Sequence, residues 1–334
     1  MDKPSLLTKI LFWIILGMWS TFLAEVVAGS NLFPFFVPHG VLFILPVYLF
    51  HTIVLGTVVY RWGKPTFPVL YLAGTIFGLY EAYMTKVLWF SYTPDGPPLL
   101  LGGVGVIEFI VLVLFLHSIF AFIIPLLLAE SFLVSSRDGI SLLPERIRKS
   151  FIRRGVLWTI IFGIFTGLFS SLNSPNPAIS LLSGMGNGLL LVGVTFYARR
   201  KTRAYSMKDL LPSLSQWIVL TVILVALYFI YSPWLEPGLP DARAQATIVA
   251  AYAVLGTLLV LHLVRSRFRS ISPISKPPLT WKSLIIFFVV FALSSGISTF
   301  FLAPVKIAVL ILIWLTAVVA GGSALLYCVK KLLW

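Results

Sequence analysis

The chain has 334 residues, 59% of them apolar and only 11% charged, and Lys and Arg outnumber Asp and Glu by 25 to 11. Mean hydropathy is +1.01; so little charge cannot cover a water-soluble surface, so the chain is built for lipid. The net charge of +14 lies in short segments at the ends of apolar stretches, which argues against nucleic acid as a partner, and the single Cys328 excludes an intrachain disulfide or a Cys-built metal centre.

A spanning helix needs about 20 apolar residues. Ten stretches qualify: 6–28, 39–61, 68–90, 103–130, 154–172, 179–198, 214–233, 245–264, 283–302 and 305–329. The first follows Lys3 and Lys9 as a signal peptide would. It is long, carries Glu25 and lacks a clear cleavage site, so it reads as a retained helix.

The connections are alternately basic and nearly free of basic residues. One set holds Lys3 and Lys9; Arg61 and Lys64; Arg137, Arg146, Arg148, Lys149, Arg153 and Arg154; Arg199, Arg200, Lys201, Arg203 and Lys208; Arg265, Arg267, Arg269, Lys276 and Lys282; Lys330 and Lys331. Segments 29–38, 91–102 and 173–178 hold none, and 234–244 has Arg243 with Glu236 and Asp241. Positive charge is retained on the cytoplasmic side, so the pattern predicts an all-α, multi-pass protein of the cell membrane with ten helices and both termini inside. The basic loops are expected to meet anionic lipid headgroups. Any membrane subunit partners are unknown at this level.

The longest basic connection, 134–153, separates four helices in 1–133 from six in 154–334. Within it Ser141 to Arg154 can form a helix that puts Leu143, Ile147 and Phe151 on one face. That is the pattern of a helix lying in the headgroup layer, though a basic topology loop with some helix fits equally. No loop has room for a nucleotide-binding domain, and no P-loop or dinucleotide glycine pattern occurs. Ile76–Tyr80 against Ile161–Phe165 is the nearest internal match, too short to make a repeat.

Ionised groups inside a bilayer cost about 2.5–3.5 kcal/mol each at mid-membrane, so they point to function. They are concentrated in the first four spans: Glu25, His51, Glu81, Lys86, Glu108 and His117, with His39 and Glu130 at edges. The last six spans have only Lys306 and His262, again near ends. Helical rise puts Glu25, Lys86 and Glu108 about 4–8 Å below the outer boundary, Glu81 about 13 Å, and His51 and His117 roughly 18–21 Å.

Gly74, Gly78, Glu81 and Thr85 share one stripe of the third span. Small residues invite a neighbouring backbone, so Glu81 should face protein. Lys86 lies about 140° around from Glu81 and should instead meet Glu25 or Glu108. Glu108 and His117 should point to opposite faces of the fourth span. Gly163 with Gly167, and Gly184 with Gly188, form two further small-residue stripes, while Asn173, Asn176 and Asn187 surround the turn at the external end; close packing and a tight turn account for these.

Three functions fit. A proton- or ion-coupled secondary transporter of a small solute would use an outward-opening site of Glu81, His51, Glu25, Lys86, Glu108 and His117. A membrane-embedded enzyme would hold a divalent metal between His51, His117 and Glu81, leaving a position for water; a bis-histidine haem on His51 and His117 is a variant. A structural or assembly subunit would use a buried Glu–Lys pair to fix helix register.

Overall fold

The structure is a computed structural model that describes residues 3–91, 95–142, 145–235, 238–266, 279–301 and 306–333. Glu236, Arg267, Arg269, Lys276 and Leu143 fall outside these residues, as do the side chains of Arg146, Ile147, Arg148, Phe151 and Lys306. The chain is helical almost throughout. We number its long helices α1 (Leu6–Val26), α2 (Gly40–Trp62), α3 (Phe67–Met84), α4 (Val106–Phe132), α5 (Glu145–Ser171), α6 (Pro177–Thr202), α7 (Leu214–Leu235), α8 (Ala242–Ser266), α9 (Trp281–Phe301) and α10 (Lys306–Leu333).

Among the described residues, nine helices are long and apolar enough to cross a membrane. The other long helix, α3, has 18 residues and carries Glu81 with three tyrosines, so it is less apolar. It is buried on nearly every face, and protein contact replaces the lipid contact that would demand hydrocarbon there.

Helix starts follow from local chemistry. The Ser5 hydroxyl accepts the Thr8 N–H at 3.2 Å. Thr66 caps α3 with Pro68 in its first turn, and Asn176 caps α6 ahead of Pro177. Each cap supplies an acceptor to an amide that has no partner within its helix, and proline there has no N–H to lose.

Three details depart from the expected helices. The third span is not one helix to residue 90: α3 ends at Met84, Lys86 takes a left-handed conformation (φ 59°), and a one-turn helix Val87–Phe90 follows. The Thr85 hydroxyl bonds back to the Glu81 carbonyl at 3.1 Å, closing the last turn. The fourth span begins at Val106, not 103, because Leu100–Leu101 and Val104–Gly105 pair as a small antiparallel hairpin. Its turn is Gly102-Gly103, both at positive φ (58° and 79°), as a two-residue hairpin turn of this hand requires. Finally, α4 is wound as a π-helix from Phe109 to Ile123, with shorter π stretches at Phe22–Val26, Gly40–Ile44 and Val58–Trp62.

Two compact units are interleaved in the sequence. The first comprises Met1–Leu49, Ile124–Leu211 and Ser270–Ile313. Its centre is α9, packed between α5 and α6. Both small-residue stripes converge there: a Cβ added at Gly167 would come within 2.7 Å of the Phe291 carbonyl oxygen, and one at Gly184 within 2.7 Å of Ala292 Cα. The asparagines are structural clamps in this unit. Asn173 donates to the Ala28 carbonyl at 2.9 Å and Asn187 to that of Leu32 at 2.8 Å.

Glu130 also serves the first unit. Its carboxylate, wholly buried, accepts the backbone N–H groups of Gly139 and Ile140 at 2.8 Å each. Burial lowers the pKa of Arg137 in the same turn, and the Glu130 charge acts in the opposite direction. Glu130 therefore ties the start of the 134–153 connection to the end of α4.

The second unit comprises Phe50–Ile123, Pro212–Arg269 and Trp314–Trp334. Here α3 is the centre, packed against the π-wound part of α4, with α8 and α7 around it. Tyr71 bonds through its hydroxyl to the carbonyls of Leu114 and Gly321, each at 2.8 Å.

Candidate functional site

The Gly74–Gly78 stripe determines how closely α3 and α4 approach. A Cβ at Gly74 would lie 2.7 Å from Ser118 Cα, and one at Gly78 2.9 Å from Val113 Cα and 3.0 Å from His117 Cβ. These are backbone-to-backbone contacts that only glycine allows. One turn beyond Gly78, the same stripe carries Glu81 to His117.

Glu81 Oε2 stands 3.1 Å from His117 Nε2, and both residues are buried, at 7% and 2% exposure. The other ring nitrogen, Nδ1, is 3.1 Å from the Leu112 carbonyl. A carbonyl only accepts, so Nδ1 carries a proton and a neutral His117 leaves Nε2 unprotonated beside Glu81. With both groups deprotonated, lone pairs would face each other across 3.1 Å. One proton, on either atom, relieves this approach of two acceptors. The pair is thus built to hold one proton.

Leu112 lies five residues before His117, within the π-wound stretch. Pi-turns inside longer helices are rare and concentrate at functional sites. Face arithmetic with 3.6 residues per turn fails in such a stretch, so the relation of Glu108 to His117 could not be read from spacing.

His51 is close by but is held differently. Its ring stacks on Phe77 with centroids 4.7 Å apart and meets the Tyr80 edge at 4.1 Å, while Phe77 lies 5.9 Å from the His117 ring. His51, His117 and Glu81 are therefore not gathered as metal ligands. Among the described residues, no three His, Cys, Asp or Glu side chains form a group that could hold a metal. The reason is packing: the Phe77 ring is engaged with both imidazoles.

Glu25 and Glu108 find local hydroxyl partners. Glu25, in the π stretch at the end of α1, accepts from the Ser30 and Tyr48 hydroxyls at 2.6 Å each, within the first unit. Glu108 lies in the first turn of α4, where a carboxylate is favoured by the helix dipole, and accepts from Ser91 at 2.6 Å. Lys86 is buried at the break after α3. His262 bonds the Cys328 carbonyl at 3.0 Å.

Sequence reasoning missed the aromatic wall beside the pair. Tyr80 donates to the Leu224 carbonyl at 3.1 Å and lies 5.3 Å from the Tyr228 ring. Tyr83 stacks on Tyr228 and meets Trp89, both at 5.3 Å. Tyr80 and Tyr83 were visible on the helix that carries Glu81, but nothing in the sequence pairs them with Tyr228.

No solved structure matches the chain. A protein of Archaeoglobus fulgidus, described as an uncharacterized protein, is 34% identical over 225 residues, which covers 67% of this chain and 68% of its own length. A family described as an uncharacterized membrane protein family matches residues 14–333. Helices of spanning length and that match agree: the chain is a multi-pass, all-α membrane protein and belongs to this family.

Proposed function

We propose that the protein is a proton-coupled membrane transporter of a small solute, with Glu81 and His117 sharing the coupling proton. The observation that carries this reading is the 3.1 Å contact between their side chains, with the second imidazole nitrogen committed to the Leu112 carbonyl. A carboxylate and an imidazole inside a bilayer are expensive unless they do something with a proton. Together they are neutral overall when one proton is bound and carry one negative charge when it leaves. That change of charge in a buried place can bias a conformational equilibrium, which is what coupling requires. The helix that carries Glu81 also presents Tyr80 and Tyr83 to Tyr228.

Glu25 holds the Ser30 and Tyr48 hydroxyls within the first unit. The metal enzyme has no observation in its favour.

The test is proton movement in vesicles reconstituted with the purified chain and an internal pH dye, under an imposed pH step with the membrane potential clamped. Wild type should move protons in the presence of a transported solute from a panel of small ions and metabolites. Glu81→Gln and His117→Gln should fold, keep their melting temperature within a few degrees, and lose that movement. The double variant should lose no more than either single one, because the pair acts as a unit. Proton movement that survives Glu81→Gln, or a Glu81→Gln chain that merely unfolds, would refute the proposal.

A further inference from the structure

A cavity of about 420 Å³ lies within the first unit, among α1, the end of α4, α5 and the start of α9. Its volume falls in the ~300–1,000 Å³ range of small-molecule sites. The lining is hydrocarbon almost throughout, including Leu127, Leu128, Phe162, Phe165, Leu284 and Phe287. The few hydroxyls that border it are spent elsewhere. Ser131 donates to the Leu127 carbonyl at 2.9 Å and Thr159 to that of Gly155 at 2.7 Å, each within its own helix. Ser283 pairs with the Thr280 hydroxyl at 3.1 Å. A polar solute would lose its water here and gain nothing in return. A hydrocarbon chain would lose nothing.

Two exposed cations lie close in the chain to residues that line the cavity. Arg154 is exposed at a kink in α5 (φ −124°, ψ 30°), four residues before Trp158, which lines the cavity. Lys282 is exposed and directly precedes Ser283. Trp158 is 38% exposed, and its indole N–H donates to the Ser150 hydroxyl at 3.0 Å, the posture of a tryptophan at a membrane interface.

We infer that the cavity is a binding site for an anionic membrane phospholipid, with one tail among the aromatic and leucine side chains and the phosphate at Arg154 and Lys282. The chemistry is complementary to such a lipid, with a hydrocarbon lining and two exposed cations beside lining residues in the chain. Two basic side chains close to an anionic headgroup together favour it over a zwitterionic one by up to about thirtyfold. The inference stands apart from the Glu81–His117 reading, which concerns the other unit.

The experiment is native mass spectrometry of the full chain released from mixed micelles that contain equal amounts of phosphatidylglycerol and phosphatidylcholine. Wild type should keep one phosphatidylglycerol, preferred about tenfold. The double variant Arg154→Ala, Lys282→Ala should keep its fold and fall to near parity between the two lipids. Leu128→Trp, which fills the cavity, should lose both lipids; Thr159→Leu does the same with a smaller intrusion if the tryptophan variant fails to fold. Parity in wild type, an unchanged preference in the double variant, retention undiminished by either filling substitution, or occupancy by detergent alone would each overturn the inference.

Discussion

Replacing Gly78 by alanine tests whether the Glu81–His117 contact depends on the close approach of α3 to α4. The added Cβ would sit 2.9 Å from Val113 Cα and 3.0 Å from His117 Cβ. Carbon atoms rest comfortably at about 3.5–4.0 Å, so the helices must separate by roughly 0.6 Å or more at this point. Glu81 is one turn away, and the same displacement takes its 3.1 Å contact with His117 to about 3.7 Å, beyond hydrogen-bond reach. Overpacking of this kind costs about 1–3 kcal/mol, and loss of a buried polar contact about 1–3 kcal/mol more. At ~2–4 °C per kcal/mol for a unit of this size, the melting temperature in detergent should fall by roughly 4–24 °C. Gly256→Ala in α8 is the control, because no heavy atom lies within 4 Å of its added Cβ; it should be neutral or slightly stabilising, as alanine is the better helix former. Proton movement should fall in Gly78→Ala and stay unchanged in Gly256→Ala. If the two variants melt alike, the approach of α3 to α4 does not hold the pair, and the reasoning fails.

Glu130→Ala removes acceptors from the amides of Gly139 and Ile140, each a hydrogen bond to a charged group worth about 1.5–3 kcal/mol. Segment 134–142 should then become the first site cut by a protease in micelles, whereas a cleavage pattern like that of wild type would show that Glu130 does not hold it. The charge alternation predicts that cysteines placed at Ser91 and Ser141, in a Cys328→Ser background, label from opposite faces of sealed cells. Labelling of both by an impermeant reagent added outside would refute the assignment.

What the sequence determined by itself was the membrane, the helices and the direction of one face. Hydropathy and charge act locally, residue by residue, so the long helices fall where the apolar stretches and basic loops put them, from α1 at Leu6–Val26 to α10 at Lys306–Leu333. The glycine stripe likewise told that Glu81 faces protein, because a missing side chain is an invitation to close packing whoever accepts it. Which helix accepts it was decided only by tertiary structure. Nothing in Gly74 and Gly78 names Ser118 and Val113 as their contacts, nor do Gly167 and Gly184 name α9. The π winding of Phe109–Ile123 was equally hidden, since no residue type encodes it and the 3.6-residue period used to assign faces does not apply there. The break at Lys86 escaped notice because a lysine, unlike a glycine, gives no warning of a left-handed turn. Pairing across helices depends on contacts far apart in the chain, so the proton-binding pair and the hydrocarbon cavity emerge only when the helices are packed.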